Sequence, residues 1–206
     1  ISYEFAYDLH HENYEQIYRV VNENIYPDLV DKGMGTPHPV GPAMSDYFSN
    51  VQTVVRTSYM YGNQLNVYDA NGEKKKFMVD EGVTFTENSF FDVFSVEWIA
   101  GNPETALTNP NSVVIAAKEA RKLFGFPKGM EQESIGKLIN YNNLKDFKIV
   151  GVIADQENPT SLPFTFLFDY DGQNGDINPY YGKGTSWNST SSNTNTYFIP
   201  EEGFSV

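Results

Sequence analysis

The chain has 206 residues, of which 40% are hydrophobic and 15% aromatic, enough apolar side chain to bury a core and more than a disordered polypeptide carries. Its 27 acidic and 14 basic residues give a formal net charge of -13. Nucleic acids and anionic lipid headgroups would repel such a chain, whose only basic run is Lys74–Lys76, so we exclude binding to both.

The sequence also lacks the features of several common kinds of site and segment. There is no cysteine, so disulfides, thiolate zinc sites and a cysteine nucleophile are excluded. No apolar stretch approaches the ~18 residues of a membrane-spanning helix, and Ile1–Glu4 has neither the basic start nor the apolar run of a signal peptide. We therefore expect this chain to be a piece of a longer protein whose anchors lie outside it.

The first predicted element is a helix from about Asn13 to Asn24. Apolar residues recur there at helical spacing, Asn13 and Gln16 resemble a capping box, and Pro27 would stop the helix. After a loop rich in glycine and proline, a second short helix is predicted to begin near Pro42. The front of the chain is therefore predicted to be helical.

The rest of the chain is dominated by predicted strands. In chain order they lie at 51–60, 65–69, 76–79, 82–86, 112–115, 136–141, 145–154, 164–170 and 196–199. Asn71-Gly72 and Asn142-Asn143 are placed to form hairpin turns.

Short helices interrupt these strands. A capped helical turn is predicted at 88–94, a helix start at Asn102-Pro103 and a helix at 117–124 with Gly125 as its C-terminal cap. Residues 171–195 are predicted to form a long loop around Trp187. Helices at the front followed by hairpins indicate an α+β fold rather than a doubly wound sheet.

Few residues of the sequence lie in patterns that are typical of catalytic or metal-binding sites. His10, His11 and His38 lack the spacing of a metalloprotease helix, and helix-start and loop positions explain them better than metal binding. No serine lies in a nucleophile motif, and no glycine-rich phosphate loop is present. Carboxylate pairs for glycoside hydrolysis need not be close in sequence, so none can be named. We predict no catalytic, cofactor-binding or metal-binding residues and no enzyme activity.

Two segments are candidates for binding a ligand. Asp169–Asp176 resembles a calcium loop, but Asn174 and Tyr180 occupy the places where an EF-hand needs Gly and Glu. An acidic turn after a strand is the simpler interpretation, with a looser calcium site as the alternative. The loop from Tyr170 to Trp187 is the best candidate for an aromatic surface that binds glycans or peptides, although core packing explains most of the aromatic residues.

Several segments, in order, resemble the periplasmic core domain of macrolide-exporter-type (MacB-type) ABC transporter permeases, in the form common in Bacteroidetes. The most specific match is 89–95 followed by 100–107. The other matching segments are 7–20, 36–44, 110–115, 120–125, 135–137, 147–152, 196–199 and 201–203. Together they span nearly the whole chain.

This resemblance implies an inner-membrane protein whose extracytoplasmic domain lies between the first and second of four transmembrane helices. It implies a porter-like subdomain at 1–80 and 161–206 and a sabre-like subdomain at 81–160, with mixed or antiparallel sheets. The implied partners are a cytoplasmic ABC ATPase, reached through the transmembrane helices, and a second permease copy. No cofactor is implied. The domain would transmit ATPase-driven movement, with both chain ends close together facing the membrane.

Two other functions fit the residues. One is a secreted or surface module that binds glycans or peptides through the aromatic loop. The other is an extracytoplasmic ligand sensor with a closed pocket. The sequence does not identify a transported substrate.

Overall fold

The computed structural model describes residues 8–69, 71–179, 181, 186–188 and 190–204. Its strands are β1 (Tyr18–Arg19), β2 (Asn22–Tyr26), β3 (Leu29–Gly33), β4 (Val51–Met60), β5 (Asn63–Tyr68), β6 (Lys74–Val79), β7 (Val83–Thr86), β8 (Trp98–Ala100), β9 (Ser112–Ala116), β10 (Leu138–Tyr141), β11 (Lys145–Ile153), β12 (Phe166–Asp169) and β13 (Thr194–Pro200). The helices are α1 (Val40–Tyr47), α2 (Phe90–Val93) and α3 (Ala117–Phe124), with short 3₁₀ helices at Glu131–Ser134 and Tyr170–Gln173.

One large mixed sheet forms the body of the described residues. Its strand order is β1-β13-β4-β7-β12-β9-β11-β10-β5-β6, with β8 beside the end of β11. Most neighbours are antiparallel, whereas β9 with β11 and β12 with β7 are parallel. β2 and β3 form a separate two-stranded hairpin. The predicted α+β class, with a mixed sheet and few short helices, is confirmed.

This sheet must curl strongly on itself. β4 and β5 are six positions apart in the strand order, which would be about 29 Å across a flat sheet at ~4.8 Å per strand. Yet only Tyr61 and Gly62 join Met60 to Asn63, and three Cα–Cα steps reach at most about 11 Å. The Asn63 side-chain Nδ2 also donates to the Met60 carbonyl at 2.8 Å. β4 and β5, near opposite ends of the strand order, are therefore brought together in a barrel-like curl.

Successive side chains of each strand point to opposite faces of the sheet, and each face carries a hydrophobic core. The first contains Phe85, Val113, Phe147 and Phe168, and it draws on all seven strands from β7 to β6 together with α3. The second uses residues that point the other way, such as Val114 and Leu167, and packs them under α2. Many of the aromatic residues pack in these two cores, as predicted, whereas seven of the described ones are exposed, among them Tyr47, Tyr61 and Trp187.

Most predicted strands and the two later helices are confirmed. Asn142 and Asn143 both have positive φ in the turn between β10 and β11, where the three residues 142–144 connect the paired Tyr141 and Lys145. Gly125 caps α3 in the left-handed conformation at φ 73. The short helix predicted near Pro42 begins two residues earlier, at Val40, and ends at Tyr47.

The helix predicted at Asn13–Asn24 is wrong. Those residues form turns, then β1, then the start of β2. β1 pairs with β13, Tyr18 opposite Phe198, and the pairing of an edge strand outweighs the helical spacing of the apolar residues. The helix start predicted at Asn102-Pro103 is a turn instead, in which the Asn102 side chain accepts from the Glu104 amide at 2.9 Å.

In the described residues, none of the helices is both long enough and apolar enough to cross a membrane.

Candidate functional site

The three histidines do not form a site together. His10 and His11 stack at 4.0 Å between ring centroids beside Phe94, whereas His38 packs against Tyr170 and Tyr181. No group of three or more His, Asp or Glu side chains in the described part of the chain is arranged to hold a metal ion.

His11 is held neutral by its surroundings. Its side chain is 2% exposed, and its Nδ1 accepts a hydrogen bond from the Ser95 amide at 3.1 Å. Nε2 therefore carries the proton. Burial, followed by the neighbouring His10, lowers the pKa of His11 to about 4. A neutral, buried ring beside Phe94 is a packing residue rather than a ligand or base.

The most elaborate polar arrangement is centred on Arg56, in the middle of β4. The guanidinium donates to the Glu87 carboxylate at 2.5 and 3.0 Å and to the His38 carbonyl at 2.9 Å. It also lies 4.0 Å from the centre of the Tyr170 ring. The Arg56 side chain is 9% exposed. We call these four residues, with Tyr181, the Arg56 cluster.

The charges and hydrogen bonds of the Arg56 cluster are balanced. Burial alone would lower the pKa of Arg56, but the Glu87 carboxylate outweighs burial and raises it. Burial, and then the Arg56 charge, lower the pKa of His38 to about 4. His38 Nδ1 lies 2.6 Å from the Tyr170 hydroxyl, which can donate to the neutral ring. The cluster therefore joins three separate chain segments to β4.

Sequence reasoning did not single out Arg56. The available signal is its place inside a strand otherwise rich in Val and Thr, because arginine is almost never fully buried without a partner. The partner, Glu87, is 31 residues away and cannot be identified by spacing.

The aromatic platform predicted from Tyr170 to Trp187 is not formed by the described residues. Tyr170 and Tyr181 are 3% and 4% exposed because they belong to the Arg56 cluster. Trp187 is exposed. Tyr180 lies outside the described residues.

The carboxylates of Asp169–Asp176 are largely engaged by the protein itself. Asp169 accepts from the Ser112 amide at 3.1 Å and from the Gly172 amide at 2.9 Å. Burial raises the pKa of Asp169 to about 6 in spite of these hydrogen bonds. Asp171 accepts from the Tyr181 hydroxyl. This supports the interpretation of an acidic turn, in which Asp169 caps the 3₁₀ helix at 170–173.

The β1 segment and the C-terminal segment meet at one edge of the sheet, whereas Asp8, the first described residue, accepts hydrogen bonds from Thr160 and Ser161. The Tyr18 ring stacks on Phe198 at 5.5 Å and contacts Phe204 edge-on at 5.9 Å. The Glu201 amide donates to the Asn50 carbonyl at 2.9 Å, which holds the C-terminal segment to the start of β4. Residues 1–7 and 205–206 lie outside the described residues.

An open cavity of about 600 Å³ has a mixed polar and apolar lining. It lies beside the carboxyl ends of the parallel strands β9 and β11, and Arg121 crosses it to pair with Glu131 at 2.5 Å and Asp155 at 2.7 Å. The arginine in this cavity is therefore already paired with two carboxylates.

Comparison with known proteins agrees with this geometry. Residues 4–197 match the family described as the MacB-like periplasmic core domain. A domain assigned to a permease protein from Porphyromonas gingivalis has a TM-score of 0.69 and 19% identity, over 95% of this chain and 77% of its own. The periplasmic region of MacB from Actinobacillus actinomycetemcomitans has a TM-score of 0.60 and 15% identity, over 92% and 77%.

At these identities the two structures show a shared fold. None of the curated protein sequences matches the chain. The family match itself covers nearly the whole chain, in agreement with the resemblance found in the sequence. The chain belongs to the MacB-like periplasmic core domains of ABC transporter permeases.

Proposed function

We propose that this domain transmits movement from a cytoplasmic ABC ATPase to the periplasmic side of the inner membrane by moving as a rigid body, and that it does no chemistry of its own. The full permease would act as a homodimer joined to its ATPase through transmembrane helices. The division into a porter-like subdomain at 1–80 and 161–206 and a sabre-like subdomain at 81–160 is part of this proposal.

The observation that carries the proposal is the meeting of β1, near the N-terminal end of the described residues, with the C-terminal segment at the β1-β13-β4 edge. Two membrane attachments at that edge would pull on the same three strands. The Tyr18, Phe198 and Phe204 rings pack there, so a displacement would reach β13 and β4 together. The Arg56 cluster and the short Tyr61-Gly62 link would pass it to the rest of the sheet.

The proposal is tested with spin labels in the full-length permease and its ATPase, reconstituted in lipid nanodiscs. This chain has no cysteine, so once any cysteines elsewhere in the permease and in the ATPase are replaced by serine, single cysteines at exposed Tyr47, Met78 and Leu144 can be labelled one at a time. Distances between protomers are measured with and without ATP. We expect all three distances to change in a way that one rigid rotation of the domain reproduces.

A crosslink serves as the matched control. A disulfide between Tyr18→Cys and Phe198→Cys joins directly opposed residues of β1 and β13, which lie within disulfide reach. It should leave the ATP-dependent distance changes intact, because this edge moves as a unit. Distances that stay constant while ATP is hydrolysed, or a crosslink that abolishes their change, would contradict the proposal.

A further inference from the structure

A second, smaller cavity of about 300 Å³ lies near the chain ends. Its walls come from β1, β4 and β13 and from the segments around 81 and 161–163. The lining residues on which the argument depends are Tyr59, Tyr61, Tyr197, Asn195, Arg19 and Glu81. The volume is at the lower end of the range of small-molecule sites.

Two of these side chains carry buried polar atoms without a partner in the described part of the chain. They are the Tyr59 hydroxyl and Asn195 Oδ1. The Asn195 amide nitrogen donates to the Ser192 carbonyl at 3.3 Å, which identifies Oδ1 as the atom left over, since a carbonyl can only accept. Asn195 is 5% exposed. Buried polar groups are almost always paired in folded proteins, so these two would gain a partner if their side chains turned toward a ligand in the cavity.

The unpaired atoms are concentrated on one face of the sheet. Thr57 lies directly opposite Asn195, and Thr84 lies directly opposite Tyr59. The hydroxyls of both threonines are also buried and unpaired. Four of the seven such side-chain atoms in the described residues therefore lie on adjacent positions of β13, β4 and β7. If each of these atoms lacked a partner for an unrelated reason, they would not be expected to lie on one face of three neighbouring strands.

The lining defines the chemistry of the missing partner. Asn195 Oδ1 requires a donor, whereas tyrosine hydroxyls donate and accept. Three tyrosines present rings that combine an apolar body with a polar tip. Arg19 and Glu81 bring one charge of each sign, so the lining favours no net charge on the ligand.

We propose that this cavity binds a neutral saccharide of one or two sugar units. Sugar hydroxyls donate and accept in close sequence, which matches Asn195 and Tyr59, and the C–H face of a pyranose packs on a tyrosine ring. Arg19 and Glu81 can each hydrogen-bond a pair of neighbouring hydroxyls. This inference is separate from the proposed transmission of movement, and it places saccharide binding away from the Tyr170–Trp187 loop.

The test is a titration of the 206-residue chain with maltose, cellobiose and N,N′-diacetylchitobiose, followed by saturation-transfer NMR and calorimetry. We expect at least one disaccharide to bind saturably with a dissociation constant near 1 mM or below, the weak end of specific binding. Tyr59→Phe should weaken it about 3- to 10-fold, the effect of one hydrogen bond, and Asn195→Ala should weaken it at least as much.

Thermal unfolding of the sugar-free chain provides a second readout. Tyr141→Phe is the matched control, because the Tyr141 hydroxyl is buried and donates to Asn63 Oδ1. Tyr141→Phe should lower the melting temperature and leave the affinity for sugar unchanged. Tyr59→Phe should leave the melting temperature unchanged or raise it, since its hydroxyl has no partner to lose.

Three results would overturn the inference. The first is the absence of saturable binding of any of the three sugars at about ten times that dissociation constant. The second is sugar binding that is indifferent to Tyr59→Phe and Asn195→Ala. The third is binding of the zwitterionic dipeptide diglycine, sensitive to the same two variants, in place of the sugars, which would identify a peptide site.

Discussion

Glu87 contacts both the main chain and the side chain of Arg56. Its Oε2 accepts from the Arg56 amide at 2.9 Å, and its Oε1 accepts from Arg56 Nε at 3.0 Å. Arg56 lies within β4, and Glu87 directly follows the neighbouring strand β7. One carboxylate thus pairs a charge that would otherwise be isolated inside an apolar strand, and it fixes the arginine over the Tyr170 ring.

Removing the Glu87 charge should therefore be costly. Glu87→Gln keeps the size of the side chain but leaves the Arg56 guanidinium buried without a counter-charge. We expect the free energy of unfolding to fall by about 2–4 kcal/mol, a little below the cost of breaking a fully buried pair because Glu87 is partly exposed. Urea unfolding at pH 7 measures it. Glu23→Gln is the control, since the Glu23–Lys32 pair is exposed and its loss should cost less than about 1 kcal/mol.

Replacing Gly41 in α1 by alanine has two opposing effects on the free energy of unfolding, and the sign of the net change shows which effect is larger. Helix propensity alone says that Gly41→Ala stabilises by about 0.5–1 kcal/mol. A Cβ at this position would lie 2.7 Å from Arg56 Cγ and Cδ, and Arg56 cannot move without breaking its hydrogen bonds. We expect destabilisation of about 1–3 kcal/mol instead. Ser45→Ala, on the exposed side of the same helix, should stabilise by a few tenths of a kcal/mol, at most ~0.5. A stabilising Gly41→Ala would show that Arg56 has room to move.

The hairpin turn between β10 and β11 is tied to β5 through Asn142. Its amide donates to the Gln64 carbonyl at 2.8 Å, and its Oδ1 accepts from the Gln64 amide at 2.6 Å. Asn142→Gly loses only the side-chain hydrogen bond, about 1 kcal/mol. Asn142→Ala also meets the left-handed backbone at φ 51, a further cost of about 1–2 kcal/mol. Chemical denaturation should rank the variants in that order, and equal losses for Gly and Ala would contradict a strained turn.

Stability should fall as the pH is lowered from about 6.5 to 4. His11 and His38 have folded-state pKa values lowered to about 4, so the unfolded chain binds more protons at these positions in that interval, and acid favours unfolding. Asp169 acts in the opposite sense. Its pKa is raised to about 6, so the folded chain takes up this proton first, and its contribution grows as the pH falls through 6.

Two variants separate these opposing contributions. His38→Asn should reduce the dependence of the unfolding free energy on pH between 4 and 6.5 by up to one proton, about 1.4 kcal/mol per pH unit. Asp169→Asn should make it steeper by a similar amount between pH 4 and 6. Urea midpoints across this range are the measurement. Identical slopes in wild type and both variants would mean that neither group titrates as its burial indicates.

Local signals predicted most of the sheet. Asn71-Gly72 and Asn142-Asn143 mark turns through backbone preferences that depend on one or two residues, and both hairpins form. Gly125 ends α3 for the same kind of reason. Such features need no knowledge of the rest of the chain.

The features that the sequence did not predict depend on residues far apart in the chain. Tyr14, Ile17 and Tyr18 have helical spacing, but Tyr18 pairs with Phe198, which no local pattern reveals. The Arg56 cluster joins residues from four segments, and the tyrosine-lined cavity joins β1 to β13. Sequence similarity could identify the family from ordered motifs, whereas these contacts required three-dimensional placement.

The pairing of β13 with both β1 and β4 has a consequence for synthesis. During translation, Val51–Met60 is synthesised more than a hundred residues before Thr194–Pro200. One edge of β4 therefore stays unpaired while the intervening strands fold. Edges of this kind invite pairing with other chains. The Arg56 charge in the middle of β4 discourages such pairing before Glu87 is synthesised, and β13 covers the edge only later.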